Sequence, residues 1–133
     1  MSITRRPLLV LGLAVLTAPA AMAQDTVKIG LILPMTGQQA STGRQIEAAV
    51  KLWQAQNGNK AGGKTVEIVL KDDAAVPDTT RRLAQELVVN DKVTVLAGFG
   101  VTPAAMATAP IATQSKTPMV VTAASCRRRR RRP

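Results

Sequence analysis

The arrangement of apolar runs along the chain is the sequence feature that most limits its fold. Four short runs rich in Val, Ile and Leu are separated by segments in which apolar residues recur with a helical spacing. The runs cover residues 27–33, 65–70, 93–97 and 119–122. Strands and helices that alternate with short connections predict a parallel sheet with right-handed crossovers and helices on both faces. We therefore predict an α/β fold with an open parallel sheet in the flavodoxin-like strand order 2-1-3-4.

Three helices are predicted between these strands. The first carries Ile46, Val50 and Trp53 on one face, and Thr42 with Gln45 resembles a capping box at its start. The second is predicted over about residues 77–90, and the third over about residues 102–114. Because each helix has an apolar face, each is expected to pack against the sheet.

The N-terminal residues 1–23 have the features of an export signal. Arg5 and Arg6 precede an uncharged apolar run at residues 8–16, and Ala21-Met22-Ala23 fits an A-x-A cleavage site. The apolar run is too short to anchor the chain in a bilayer. We predict cleavage before Gln24 and delivery to the periplasm. The paired arginines also resemble a twin-arginine signal, so both export routes stay open.

The net charge of +10 lies mostly outside the central part of the chain. Two positive charges belong to the predicted signal and six to residues 127–132, which leaves ten Lys and Arg against eight Asp and Glu in residues 24–126. This balance predicts no specific nucleic-acid partner, since stacking aromatic residues are also missing beside the arginines. The sequence has no His and a single Cys. His-dependent catalysis and His metal sites are therefore excluded, and no cofactor is predicted.

Two glycine-rich stretches resemble nucleotide-binding motifs. GNKAGGKT, at residues 58–65, fits G-x-x-x-x-G-K-[ST], but a phosphate-binding loop lies between a strand and a following helix. Here a predicted helix precedes the stretch and a predicted strand follows it, so we interpret it as a turn with Gly58 as a helix C-cap. GFGVTP, at residues 98–103, has Pro103 in place of the third glycine, and no acidic residue follows Asp91. This pattern argues against dinucleotide binding.

Three loops are predicted to meet where the strand order reverses, which is where open α/β sheets bind their ligands. They cover residues 34–42, 98–102 and 122–125, and they contain small and polar residues without a charged one. Thr102-Pro103 predicts the start of the third helix, whose dipole suits a carboxylate. Thr102 is predicted to cap this helix, to contact a ligand, or both. Asp72-Asp73 is interpreted as a solvated or helix-capping pair rather than a metal site.

The chain resembles the type I periplasmic binding proteins, and within them the branched-chain amino-acid (Leu/Ile/Val) binding proteins of ABC importers. Three runs carry the resemblance: KIGLILPMTGQQASTGRQIEAAVKLW, GGKTVEIVLKDDAAVPDTTRRLAQELVVNDKVTVLAGFG and PMVVTAAS. It implies two similar lobes that close on a solute and deliver it to an ABC permease in the inner membrane. It also implies that the first lobe holds the carboxylate of the solute.

The resemblance assigns ligand-binding roles to residues on the three loops. Gln39 and Ser41 are expected to line the cleft, and the carboxylate is expected at Val101, Thr102, Ala123, Ala124 and Ser125. The expected ligand is an amino acid or a similar small carboxylate. A leucine-like amino acid, another amide or carboxylate compound and an aromatic acid all stay open.

The C-terminal end departs from the family pattern. Residues 24–125 are expected to form part of the N-terminal lobe, whereas Cys126 and the arginines that follow form an aberrant tail at residues 126–133. We interpret this tail as the result of a truncation or a frameshift. With half of the cleft missing, such a product is not expected to bind tightly by itself.

Two other classes of function are consistent with parts of the sequence. The chain could be an exported interaction module whose arginine tail binds anionic surfaces. It could also be an α/β enzyme, but the sequence has no His and no G-x-S-x-G nucleophile motif. We therefore predict a binding protein without enzymatic activity.

Overall fold

The structure, a computed structural model, describes residues 25–124. Strands and helices alternate along this part of the chain: β1 (Thr26–Leu33), α1 (Ala40–Asn57), β2 (Lys60–Ala61), β3 (Lys64–Asp72), α2 (Pro77–Val89), β4 (Val95–Gly98), α3 (Thr102–Gln114) and β5 (Met119–Val121). The predicted signal at residues 1–23 and the tail at residues 126–133 lie outside the described residues. Among the helices of residues 25–124, none has the length and apolar character needed to cross a membrane.

The five strands form one open sheet in the order β2-β3-β1-β4-β5. β1 pairs in parallel with β3 and β4, and β4 pairs in parallel with β5. The predicted strands one to four correspond to β1, β3, β4 and β5, so the order 2-1-3-4 is confirmed. The sequence did not predict β2, a two-residue strand that pairs antiparallel with the start of β3.

The GNKAGGKT stretch forms the turn of this hairpin. Gly58 ends α1 in the left-handed conformation, and its N–H donates to the Gln54 carbonyl. Lys60 pairs with Thr65, so the glycines between them reverse the chain directly into β3. No helix follows, which confirms the interpretation of this stretch as a turn.

Two element starts differ from the predictions. α1 begins at Ala40, before the predicted capping residue Thr42, because the Gly37 carbonyl accepts the Ala40 N–H and starts the first turn early. β4 begins at Val95 rather than at residue 93. Val93 instead donates its N–H to the Leu87 carbonyl at the end of α2, which holds this segment against the helix.

The main core lies between the centre of the sheet and helices α2 and α3. Ile32, Leu87, Leu96 and Phe99 are fully buried there. Burying a side chain of this kind contributes about 1.5–3 kcal/mol, which makes this face the principal source of stability.

The opposite face of the sheet is covered by α1. Ile46, Val50 and Trp53 face the sheet, as the helical spacing predicted, and the prediction of helices on both faces is confirmed. These side chains are only half-buried, because a cavity of about 560 Å³ separates them from Ile29 and Val66.

Candidate functional site

The strand order brings three loops to one end of the sheet, which we call the loop edge. It consists of loop 1 (residues 34–39) after β1, loop 2 (residues 99–101) after β4 and loop 3 (residues 122–124) after β5. The register aligns Ile32 with Gly98, and Gly98 with Val121, so the three strands end side by side. The described part of these loops carries no charged residue.

Loop 1 is packed closely against loop 2 through the buried Pro34. A Cβ atom added to Gly100 would lie 2.5 Å from Pro34 Cγ, and one added to Gly43 would lie 2.1 Å from the Pro34 carbonyl oxygen. Only glycine leaves room for these contacts. These contacts restrict the backbone path of loop 1 as it enters α1. Gln39 and Ser41 are exposed at the start of this helix.

Asp72, at the end of β3, holds loop 1 from the other side. Its Oδ1 accepts the Met35 N–H at 2.8 Å and the Ala74 N–H at 2.9 Å, while its Oδ2 accepts the Thr36 hydroxyl at 2.9 Å. Desolvation is the largest single influence and raises the pKa of this group. The hydrogen bonds from Ala74, Met35 and Thr36 together outweigh it, and they lower the pKa of Asp72 below its ordinary value.

Asp72 is not among the residues that the sequence predicts for the site. The register places it beside Leu33, the last residue of β1, so its carboxylate reaches the residues that follow. An alignment of the two predicted strands by their apolar runs could have suggested this proximity. The adjacent Lys71 does not neutralise the negative charge of Asp72, because Lys71 pairs with Glu86 on α2, with Nζ 2.9 Å from Glu86 Oε1. Their hydrogen bond raises the pKa of Lys71 and lowers the pKa of Glu86.

Asp73 has a separate role at the start of α2. Its side chain is fully buried, and it accepts the Ala75 N–H at 3.0 Å and the Thr80 hydroxyl at 2.6 Å. Val76 occupies the N-cap position of α2 and no side-chain cap bond forms there, so Asp73 is a buried acceptor for Thr80 rather than the solvated or helix-capping group that the sequence predicted. Within residues 25–124, no group of three or more His, Cys, Asp or Glu side chains is placed to hold a metal ion.

Loop 2 turns sharply from β4 into α3. Gly98 has φ +112°, and the fully buried Phe99 has φ +67°. A bulky residue with positive φ stores about 1–3 kcal/mol of strain, which here is offset by burial of the ring in the core. The Phe99 N–H also donates to the Ile32 carbonyl at 2.8 Å.

The turn in loop 2 places the N-terminus of α3 at the loop edge. Thr102 is the first residue of α3, and Val101 occupies the N-cap position without a side-chain cap bond. The prediction that Thr102 is the capping residue is therefore wrong: the extended backbone of Val101 already occupies the cap position. No acidic side chain lies in the first turn of α3. The positive end of the helix dipole is thus left to attract an anion.

Thr122 holds loop 3 against the end of β4. Both the N–H and the hydroxyl of Thr122 donate to the Gly98 carbonyl, at 2.9 and 3.0 Å. Ala123 is exposed, whereas Ala124 is half-buried and packs against the core. Ser125 lies outside the described residues.

Most of the chain matches a known protein family. The family profile described as "periplasmic binding protein" matches residues 26–129. The chain belongs to the periplasmic binding protein family.

Individual members of this family show the same similarity. A protein named Leu/Ile/Val-binding protein homolog 6 from Brucella abortus is 48% identical over 107 residues, which is 80% of this chain and 27% of that protein. A solute-binding protein of an ABC transporter from Rhodopseudomonas palustris BisB5, solved in complex with 3,4-dihydroxybenzoic acid, is 63% identical. The match covers 76% of the present chain and 28% of the Rhodopseudomonas palustris protein, with a TM-score of 0.74.

A leucine-binding protein from Thermotoga maritima is a more distant relative, 31% identical with a TM-score of 0.70 over 74% of this chain and 28% of its own. This periplasmic binding protein thus spans about a quarter of the length of the relatives it matches. The predicted resemblance to type I periplasmic binding proteins is confirmed. The prediction of a non-enzymatic protein also agrees with these relatives, all of which are named as binding proteins. Membership of the family implies a periplasmic location.

The structure brings most of the predicted site residues of this periplasmic binding protein to the loop edge. Those within the described part of the chain are Gln39, Ser41, Val101, Thr102, Ala123 and Ala124. The side chain of Ala124 lies against the core, so its backbone is the part available to a ligand. Contact between these residues and a ligand stays a prediction.

Proposed function

We propose that this chain forms the first lobe of a solute-binding protein that delivers a small carboxylate to an ABC permease in the inner membrane. The loop edge would hold the carboxylate, and a second lobe would close over the rest of the solute. The observation that carries this proposal is the α3 N-terminus, which lies between two uncharged loops at the edge of the sheet. Helix N-termini attract anions through their N–H groups and their dipole.

Each predicted residue has a distinct role in this proposal. Val101 and Thr102 contribute the backbone and hydroxyl groups at the α3 N-terminus, and Ala123 and Ala124 contribute backbone groups from loop 3. Ser125 would add a hydroxyl at the end of loop 3. Gln39 and Ser41 are exposed at the start of α1, where they would contact the solute as the cleft closes.

Among carboxylates, we propose an aromatic acid of the hydroxybenzoate class. The relative that is 63% identical was solved with 3,4-dihydroxybenzoic acid, and a second Rhodopseudomonas palustris protein, 44% identical, was solved with 4-hydroxybenzoate. The chemistry of the loop edge supports this choice. An amino acid also carries an ammonium group, and the described part of the three loops has no acidic side chain to pair with it. A hydroxybenzoate carries no cationic group and therefore requires no such partner.

The exported interaction module predicted as the alternative depends on residues 127–132, which lie outside the described residues. The comparisons with known proteins do not favour it. The export signal before Gln24 and the truncated character of the chain stay predictions.

The test is a binding titration with the complete gene product. Isothermal titration with 3,4-dihydroxybenzoate, 4-hydroxybenzoate, leucine and the neutral analogue 3,4-dihydroxybenzamide would separate the ligand classes. We expect the acid to bind at least about tenfold more tightly than its amide, since hydrogen bonds to a charged group contribute about 1.5–3 kcal/mol. Equal affinity for acid and amide would contradict a carboxylate site, and no binding by any probe would overturn the proposed function.

A pair of threonine variants tests the placement of the site. Thr102→Val should weaken binding of the acid about tenfold, because it removes a hydroxyl at the proposed carboxylate site. Thr113→Val serves as the control, since Thr113 lies at the other end of the same helix and donates its hydroxyl to the Ala109 carbonyl. The control should bind like the wild type. If both variants bind with wild-type affinity, the carboxylate lies elsewhere.

A further inference from the structure

The Asp72 carboxylate joins two segments that are distant in sequence. Two of its three hydrogen-bond donors, the Met35 N–H and the Thr36 hydroxyl, belong to loop 1, and the third is the Ala74 N–H of its own turn. Met35 lies 37 residues before Asp72 in the chain. The carboxylate thus connects the loop after β1 to the end of β3.

Residues 36–39 of loop 1, between Pro34 and the start of α1, are exposed. A Cβ atom added to Gly37 would have as its nearest neighbour the Ala74 carbonyl oxygen, 3.9 Å away. Pro34 fixes the beginning of the loop, and the Gly37 carbonyl accepts the Ala40 N–H at the beginning of the helix. Between these points, Asp72 supplies two of the hydrogen bonds that hold the loop.

We propose that Asp72 is a positioning residue for ligand capture, because its carboxylate holds loop 1 in the geometry that presents Gln39 and Ser41 to the solute. This inference rests on the proposed function. A loop that is already ordered before binding does not lose conformational entropy when the ligand arrives, so affinity is higher.

The neighbouring Asp73 provides a matched control within the same turn. It is also an acidic residue with two hydrogen-bond donors, but one is the Ala75 N–H just before α2, the other is the Thr80 hydroxyl in its first turn, and neither belongs to loop 1. Loss of Asp73 should therefore destabilise the protein without changing the geometry of loop 1. Thr80→Val, which removes one donor to Asp73, is a milder control if Asp73→Ala does not fold.

The first measurement is ligand-free hydrogen exchange of the Met35 amide in the complete gene product. Asp72→Ala should increase its exchange rate at least about tenfold, because the amide loses a charged acceptor. Asp73→Ala, or Thr80→Val, should leave the Met35 rate unchanged under conditions where the protein is folded. Asp72→Asn should fall between wild type and Asp72→Ala, since its amide oxygen can still accept an N–H. An unchanged Met35 rate in Asp72→Ala would overturn the inference.

The second measurement is the affinity for 3,4-dihydroxybenzoate, measured well below the unfolding temperature of every variant. Asp72→Ala should raise Kd about tenfold, with the order wild type, Asp72→Asn, Asp72→Ala, whereas the control variants should keep the wild-type Kd. Equal Kd values for wild type and Asp72→Ala, or an equal loss in the controls, would overturn the positioning role. A wild-type protein that binds none of the probes would overturn the proposed function instead, and Met35 exchange would still decide whether Asp72 holds the loop.

Discussion

Substitution of Gly98 by alanine tests a close backbone contact beside the loop edge. Gly98 has φ +112°, and a Cβ atom there would lie 2.2 Å from the Ile32 carbonyl oxygen. A carbon and an oxygen that are not bonded normally approach to about 3.3 Å. The Ile32 carbonyl cannot move aside freely, because it accepts the Phe99 N–H at 2.8 Å and belongs to a central strand. Strands β1 and β4 must therefore separate locally to admit the added methyl group.

The expected loss of stability has two parts. A side chain at this φ costs about 1–3 kcal/mol in backbone strain. The extra atom in a packed region costs about another 1–3 kcal/mol. We expect a total of about 4 kcal/mol for Gly98→Ala, which is a large part of the 5–15 kcal/mol typical of a domain.

The assay is urea unfolding followed by circular dichroism, with Gly62→Ala as the matched control. Gly62 also has a positive φ, +57°, but no atom lies within 4 Å of its added Cβ. In the control, the free energy of unfolding should therefore fall only by the backbone cost of a side chain at positive φ, about 1–2 kcal/mol. If the two variants lose the same free energy of unfolding, the contact with Ile32 has no energetic consequence and the reasoning fails.

Three further predictions concern the core, the α2 start and the pH dependence of stability. Leu87→Ala should lower the free energy of unfolding by about 2–5 kcal/mol in a urea titration, since Leu87 is fully buried. Val89→Ala, on the same helix but 70% exposed, should change it little. Thr80→Val should cost about 1–3 kcal/mol in the same titration, because the buried Asp73 loses its hydroxyl donor; a loss below that of Val89→Ala would contradict this account. Because the pKa of Asp72 is lowered in the fold, its contribution to stability is present above the ordinary value of 3.8 and is lost as pH falls through the lower, folded value. In wild type, the urea concentration at the unfolding midpoint should therefore fall as the pH is lowered, and in Asp72→Asn it should fall less. If the midpoint depends on acid pH in the same way in both proteins, the Asp72 carboxylate adds no pH-dependent stability.

The order of the strands and helices, the parallel sheet and the turn at residues 58–65 could all be predicted from the amino-acid sequence. These features depend on local chemistry: the spacing of apolar residues, the conformations open to glycine and proline, and the short connections between elements. The strand order then brought Gln39, Val101 and Ala123 to one edge without any knowledge of side-chain contacts. Most of the candidate site was therefore predictable.

The contacts that hold the loop edge together could not be predicted from the sequence. The bond from Met35 to Asp72 joins residues 37 positions apart, and the positive φ of Phe99 depends on burial of its ring in the core. Such features arise from contacts between distant segments, whose energies outweigh the local preferences that a sequence pattern records.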